Sequence, residues 1–268
     1  MNTRQFAIAL LSAGLALPAR ADAQETQPDF RWEKALAAGS SVRVHNLSGS
    51  VVVTAENVNR VEVVGIKRGS RRYFEEITLE VVETSRGIIV CPLYRDRDME
   101  CGEDGFRVRG RSRWGDRDWD DVSIDIRVRV PRSMLVHASS VSGDVSVLGA
   151  EGEVRASSVS GDVRMDALRA SEVRGSSVSG DVDVRIAALT GNGPLSFASV
   201  SGDVTLELPR NVAADFTMRS VSGQLETDFP LTLNGRMGRN RVEARIGAGG
   251  RDLEVRTVSG DVRLRAAR

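Results

Sequence analysis

Apolar residues in this chain recur in columns. The segment Val-Ser-Gly-Asp-Val stands at Val141–Val145, Val159–Val163, Val178–Val182, Val200–Val204 and Val258–Val262, with a variant, Val-Ser-Gly-Gln-Leu, at Val221–Leu225. Counted from the first valine as position zero, position −5 holds Val42, Val136, Val154, Val173, Leu195, Phe216, Leu233 and Leu253. Position +4 holds Val51, Val145, Val163, Val182, Val204, Leu225, Val242 and Val262, and position +6 continues with Val53, Val147, Met165, Val184, Leu206, Thr227, Ala244 and Leu264. Arg, Ser, Asp, Glu and Thr fill most of the places between. Period-two alternation on both sides of a Ser-Gly turn predicts strands with one dry face. Apolar columns at equal depth in every copy predict coil stacked on coil.

The steps between successive zeros are 18, 19, 22 and 21 residues, and Val258 lies 37 beyond Val221. Two worn copies extend the series: Leu47–Val51 early, and Gly238 late, with Val242, Ala244 and Ile246 supplying its strand. The predicted fold is all-β, a single-domain parallel β-solenoid of about 20 residues per coil. Its handedness is left open, and two or three short strands make each coil. Position −3 is small at Ala138, Ala156 and Gly175 and large at Phe197 and Met218, so the lumen is expected to widen along the rod. Stacked in chain order, the last copy forms an open end. Arg263, Arg265 and Arg268 crowd charge at that edge, a device against edge-to-edge growth, and a monomer is expected.

Residues 1–23 read as a signal peptide: Arg4, an apolar run from Phe6 to Leu17, and small residues around Ala21 and Ala23. Residues 24–40 form a lead-in and 41–268 the solenoid. Removing the leader takes basic residues from 37 to 35 and acidic ones from 37 to 36, a net charge of −1. Such a balance offers no bulk field for nucleic acid or anionic lipid. No apolar stretch after the leader is long enough to span a membrane. The expected location is the periplasm, the medium or the cell surface.

The non-repeating part, about residues 65–130, is read as an elaborated early coil carrying an insertion at about 85–121. In an oxidising compartment Cys91 and Cys101 are expected to pair, closing a short loop. Trp114 and Trp119, beside Asp116, Asp118, Asp120 and Asp121, make either a ligand-contact loop or a plain exposed loop. His45 and His137 fall in outward columns. The column Asp144, Asp162, Asp181 and Asp203 is the sharpest chemical feature, because stacked carboxylates repel and something must offset the repulsion. A turn in which each carboxylate accepts backbone N–H groups would do so; so would a cation such as calcium. No nucleophile–base pair or phosphate loop is visible, so no catalytic or cofactor-binding residue is expected.

These features together resemble a known family. The leader, the recurring Ser-Val-Ser-Gly-Asp-Val turn, Asn240–Gly247, Val255–Val262 and the Cys91/Cys101 insertion followed by Val128-Arg129-Val130-Pro131 are similar to the bacterial putative-adhesin family. The resemblance covers roughly residues 40–265. It implies exported β-strand-repeat proteins of unassigned function with no catalytic residues: an adhesin-like scaffold of the envelope or surface, with a glycan or protein partner. The other function class is a polysaccharide-acting β-helix enzyme, lyase or hydrolase, that uses the Trp/Asp insertion.

Overall fold

The computed structural model describes residues 28–94, 99–102, 105–108, 122–233, 238 and 240–267. Two long sheets of ten and eleven strands face each other across one hydrophobic core, with a separate two-strand hairpin at Met99–Gly102 and Gly105–Val108. Each coil gives one strand to each sheet. The strand ahead of the corner enters the second sheet, and the strand after it enters the first.

In the first sheet the parallel run is Val122–Pro131, Val51–Glu56, Val145–Leu148, Val163–Ala170, Val182–Leu189, Val204–Leu208, Val262–Ala266 and Leu225–Thr227. In the second it is Gly87–Tyr94, Ser41–Ser48, Leu135–Ser142, Val154–Ser160, Val173–Ser179, Leu195–Ser201, Asp252–Ser259 and Ala214–Arg219. Register follows the sequence columns: Val145 pairs with Val163, Val163 with Val182 and Val182 with Val204. Position −5 stacks likewise, Val136 on Val154 on Val173 on Leu195. All of these valines are fully buried. Burial of each is worth about 1.5–3 kcal/mol. Strand pairing above and below satisfies the backbone between them.

Two findings differ from the reading of the sequence. The copies do not stack in chain order. Val262 pairs with Val204 on one side and Leu225 on the other, so the last copy lies between the Val200 and Val221 copies. The supposed open end is therefore interior. Arg263 and Arg265 are ion-paired there, to Asp203, Asp261, Glu226 and Asp228, and do not guard an edge. Secondly, the worn copy at Gly238 is no coil. Arg241–Ile246 lies antiparallel between Ala214–Arg219 and Leu231–Leu233 in the second sheet, capping that end, and Leu233 is exposed. Val242, Ala244 and Ile246 carry the period of a half-buried strand, which fixes neither partner nor direction. The small residue Gly175 lies where the lumen was expected to be narrow, and the space beside it is filled. A Cβ there would sit 2.6 Å from Met165 Cε and 3.3 Å from Phe197 Cδ1, side chains from both sheets that fill the space it leaves.

At the other end the early copy stacks as expected, Val42 under Val136 and Val51 under Val145. The non-repeating stretch supplies one further coil, Ile88 pairing with Val42 and Ile126 with Val51. Antiparallel strands Ile77–Thr84, Val61–Gly69 and Phe30–Lys34 then close that end. Between the two strands of this added coil, Gly87–Tyr94 and Val122–Pro131, the sequence has no Ser-Gly-Asp turn. The leader, Trp114 and Trp119 lie outside the described residues.

Candidate functional site

The corner is built from four letters, each with a partner in the neighbouring coil. The buried hydroxyl at position −1 donates to the glycine carbonyl of the coil before: Ser140 to Gly49, Ser158 to Gly143, Ser177 to Gly161 and Ser199 to Gly180, at 2.8–3.0 Å. The glycine N–H donates the other way, Gly143 to Ser160 and Gly161 to Ser179. The glycine is required by close approach. With Gly180 at φ +159°, a Cβ would lie 2.2 Å from the Gly161 carbonyl oxygen.

The aspartates form a ladder. Asp144 Oδ1 accepts the N–H of Asp162 (2.9 Å), Asp162 that of Asp181 (3.0 Å), Asp181 that of Asp203 (2.8 Å) and Asp203 that of Asp261 (2.8 Å). Asp261 then accepts the N–H of Gln224 (2.9 Å). Each carboxylate thus accepts a backbone N–H at the corner of the next coil. Gln224 ends the ladder because its coil has no parallel neighbour beyond it. Arginines answer the remaining charge: Arg164 binds Asp162, and Arg263 joins Asp203 and Asp261. The Arg263 guanidinium and the Asp261 N–H hold the Asp203 carboxyl below its ordinary range. Asp183, outside the ladder, is pushed up by burial and by Asp181 and Asp162. Among the described residues no three or more His, Cys, Asp or Glu gather as a metal site would need.

The outward face of the second sheet is the other candidate. Positions −4, −2 and 0 point out together, giving three parallel columns. One contains His137, Arg155 and Arg174, the next Ser139, Ser157 and Ser176, and the third Val141, Val159, Val178, Val200 and Val258, each more than 40% exposed. Neighbouring rungs are ~4.8 Å apart. A shallow groove of about 360 Å³ runs over the first two columns. Arg155 bridges Glu153 and Glu172, and Arg174 also binds Glu172, so the cations are held by acids at the sheet edge. His137 lies by Glu153, yet burial, with Arg155 and Arg43 adding to it, lowers its pKa and keeps it neutral at pH 7.

At one end of this face the hairpin Met99–Gly102/Gly105–Val108 meets His45. Cys91, on Gly87–Tyr94, and Cys101, on the hairpin, form the expected disulfide. His45 Nδ1 meets Ser139 Oγ at 2.8 Å, and the ring stands edge-on to Phe106 of the hairpin, centroids 6.5 Å apart. The exposed valine column was legible in principle, since zero shares the parity of −2 and −4.

Residues 150–265 match the Toastrack DUF4097 family. They belong to it. The Toastrack residues run from the corner before Val154–Ser160 through the inserted last coil, and they contain most of the ladder. The match is in line with the resemblance seen in the corner motif, to a family of unassigned function. Among solved structures, a protein from Clostridium sporogenes described as a "putative cell adhesion protein" is similar at 9% identity, over 90% of this chain and 100% of its own, with a TM-score of 0.52. That likeness is one of fold. A "putative adhesin" from Bacteroides fragilis aligns at 11% identity, over 89% of this chain and 96% of its own, with a TM-score of 0.41. No curated protein matches the sequence.

Proposed function

We propose that the protein is a non-catalytic, adhesin-like interaction module, exported to the cell envelope or surface after loss of residues 1–23. In this reading residues 41–268 are one solenoid of about 20 residues per regular coil. The outward face of the second sheet makes the contact, with an extended glycan or an envelope protein as partner. The observation that carries the proposal is the valine column, which stays exposed rung after rung beside the serines, whereas elsewhere among the described residues only Leu148 and Leu233 are exposed large apolar side chains. Contiguous exposed apolar surface of this kind marks interaction sites. The disulfide supports export, since such bonds persist in oxidising compartments. The aspartate ladder does not compete for the role, because its carboxylates are engaged with backbone N–H groups.

The test compares wild type with Val159→Asp/Val178→Asp on a glycan array and against envelope extracts. An identified glycan or protein retained by wild type and lost by the variant supports the face as the contact. Equal retention by both moves the contact elsewhere and overturns that assignment. Release of reducing ends or unsaturated sugars from envelope polysaccharides would overturn the non-catalytic reading.

A further inference from the structure

The placement of the last coil has a consequence for how copies of the chain meet. Asp252–Ser259 lies between Leu195–Ser201 and Ala214–Arg219, and Val262–Ala266 between Val204–Leu208 and Leu225–Thr227. Its two neighbours are written in the same register. Leu195 and Phe216 both face Leu253, Phe197 and Met218 both face Val255, and Val204 and Leu225 both face Val262. With the insert withdrawn, the two neighbours can close on each other column for column. Asp203 Oδ1, which accepts the Asp261 N–H, could then accept that of Gln224. The slot therefore has a paired, hydrogen-bonded empty state, which lowers the cost of vacating it.

The insert is also hinged. It follows Gly247-Ala248-Gly249-Gly250, whose three glycines have φ of +58°, +74° and +111°. This short arch straddles Ala214–Arg219: Arg241–Ile246 is antiparallel on one flank, and the insert is parallel on the other. Two side chains latch it. Asp215 accepts Gly250 N–H (3.0 Å) and Arg245 Nε (3.3 Å), while its own N–H donates to the Arg251 carbonyl. Arg251, only 5% exposed, donates its guanidinium to the carbonyls of Ser171, Gly191 and Gly193 in the preceding corners. An arginine that spends buried N–H groups on carbonyls, with no carboxylate among these bonds, serves position rather than charge pairing.

We propose that residues 252–266 are an exchangeable coil, and that a second copy of this chain can supply it to the slot, giving a reciprocal two-fold dimer. Every strand pairing and ladder bond of the insert is reproduced when it enters the partner's slot. Only the arch and the latch differ between the closed monomer and the exchanged dimer. The arch opens; the Asp215 latch is released. The serine face is untouched, so this exchange stands apart from the proposed function.

The experiment uses the full chain carrying Ser201→Cys/Ser259→Cys, neighbours in register on the exposed side of the second sheet. They stand ~4.8 Å apart, within reach of a disulfide. Isotopically light and heavy protein are mixed at high concentration, held just below the unfolding temperature, cooled, oxidised and separated by size. The expected dimer fraction carries 201–259 disulfides that join light to heavy chains. The monomer fraction carries them within a chain. Asp215→Ala should raise the dimer fraction several-fold over the otherwise identical protein. Dimers whose 201–259 disulfides are all intrachain would overturn the proposal, and so would an absence of dimer after this treatment. The arm with Asp215 intact decides alone should Asp215→Ala fail to fold.

Discussion

At the corner glycine the limiting quantity is distance between backbones. A methyl at Gly180 would sit 2.2 Å from the Gly161 carbonyl oxygen, and neither coil can retreat without breaking its strand pairing. Gly180→Ala is expected to cost at least about 2 kcal/mol in urea unfolding, whereas Ser176→Ala, on the outward face, should stay within about 0.5 kcal/mol. The neighbouring aspartate makes a different demand, for an acceptor. Asp162→Ala leaves the Asp181 N–H without its bond and should cost about 1 kcal/mol; Asp162→Asn keeps an acceptor and should recover most of it. Calcium should change neither melting curve, and a calcium-dependent shift in wild type lost in Asp162→Asn would restore the cation reading. Asp203 adds a pH dependence with a definite sign. Its folded pKa is depressed by Arg263 and the Asp261 N–H, so its stabilisation is complete above the ordinary carboxylate range and is lost as pH falls through it. Stability measured from pH 6 down to 2 should fall less steeply below about pH 4 in Asp203→Asn than in wild type. The need for glycine and aspartate here was legible in five repeats of the same letters. That the carboxylate reaches the next coil was not, because a turn within one coil and a cap between coils use the same residues.

Whole strands were legible to the extent that both faces announced themselves. Inward columns at −5, +4 and +6 and the hydroxyl at −1 fall where the alternation put them. The Gly238 copy misled because Arg241–Ile246 has the same alternation while pairing antiparallel in the other sheet. Period two identifies a strand and its dry side and is silent about its neighbour. The insertion shows the converse: Gly87–Tyr94 and Val122–Pro131 lack the corner motif yet occupy a full coil, since apolar alternation alone is enough to stack. The Cys91–Cys101 bond is what ties the hairpin to that coil. Reducing it should remove about 2–3 kcal/mol, the scale for a loop this short. The loss should fall mainly on the hairpin and the Phe106–His45 contact, with little change at Val163–Ala170. Near-ultraviolet dichroism and proteolysis before and after reduction would separate this from global unfolding.

Across the whole molecule the order of coils decides where stability resides. A rod stacked in chain order would end in Val262–Ala266, and end strands fray because their N–H and C=O groups meet water. The observed order encloses that strand on both sides and leaves the three-residue Leu225–Thr227 as the edge of the first sheet, with Gln224 closing the ladder where another aspartate would have no N–H to accept. The last copy in sequence order and the last coil of the stack are then different copies. Repeat identity could not reveal this, because each copy is written to fit any other in register. Two stacked copies depart from Asp here, Ser50 in the early copy and Gln224, and Gln224 was the mark of the true end, legible only once the ladder was known to run between coils. Hydrogen exchange should therefore protect the amides of Val262 and Leu264 as strongly as those of Val182 and Val184, with Leu225 and Thr227 exchanging faster by at least an order of magnitude, or about 1.4 kcal/mol of opening free energy. Fast exchange at Val262 and Leu264 with slow exchange at Leu225 would put the copies back in chain order and refute the inserted coil.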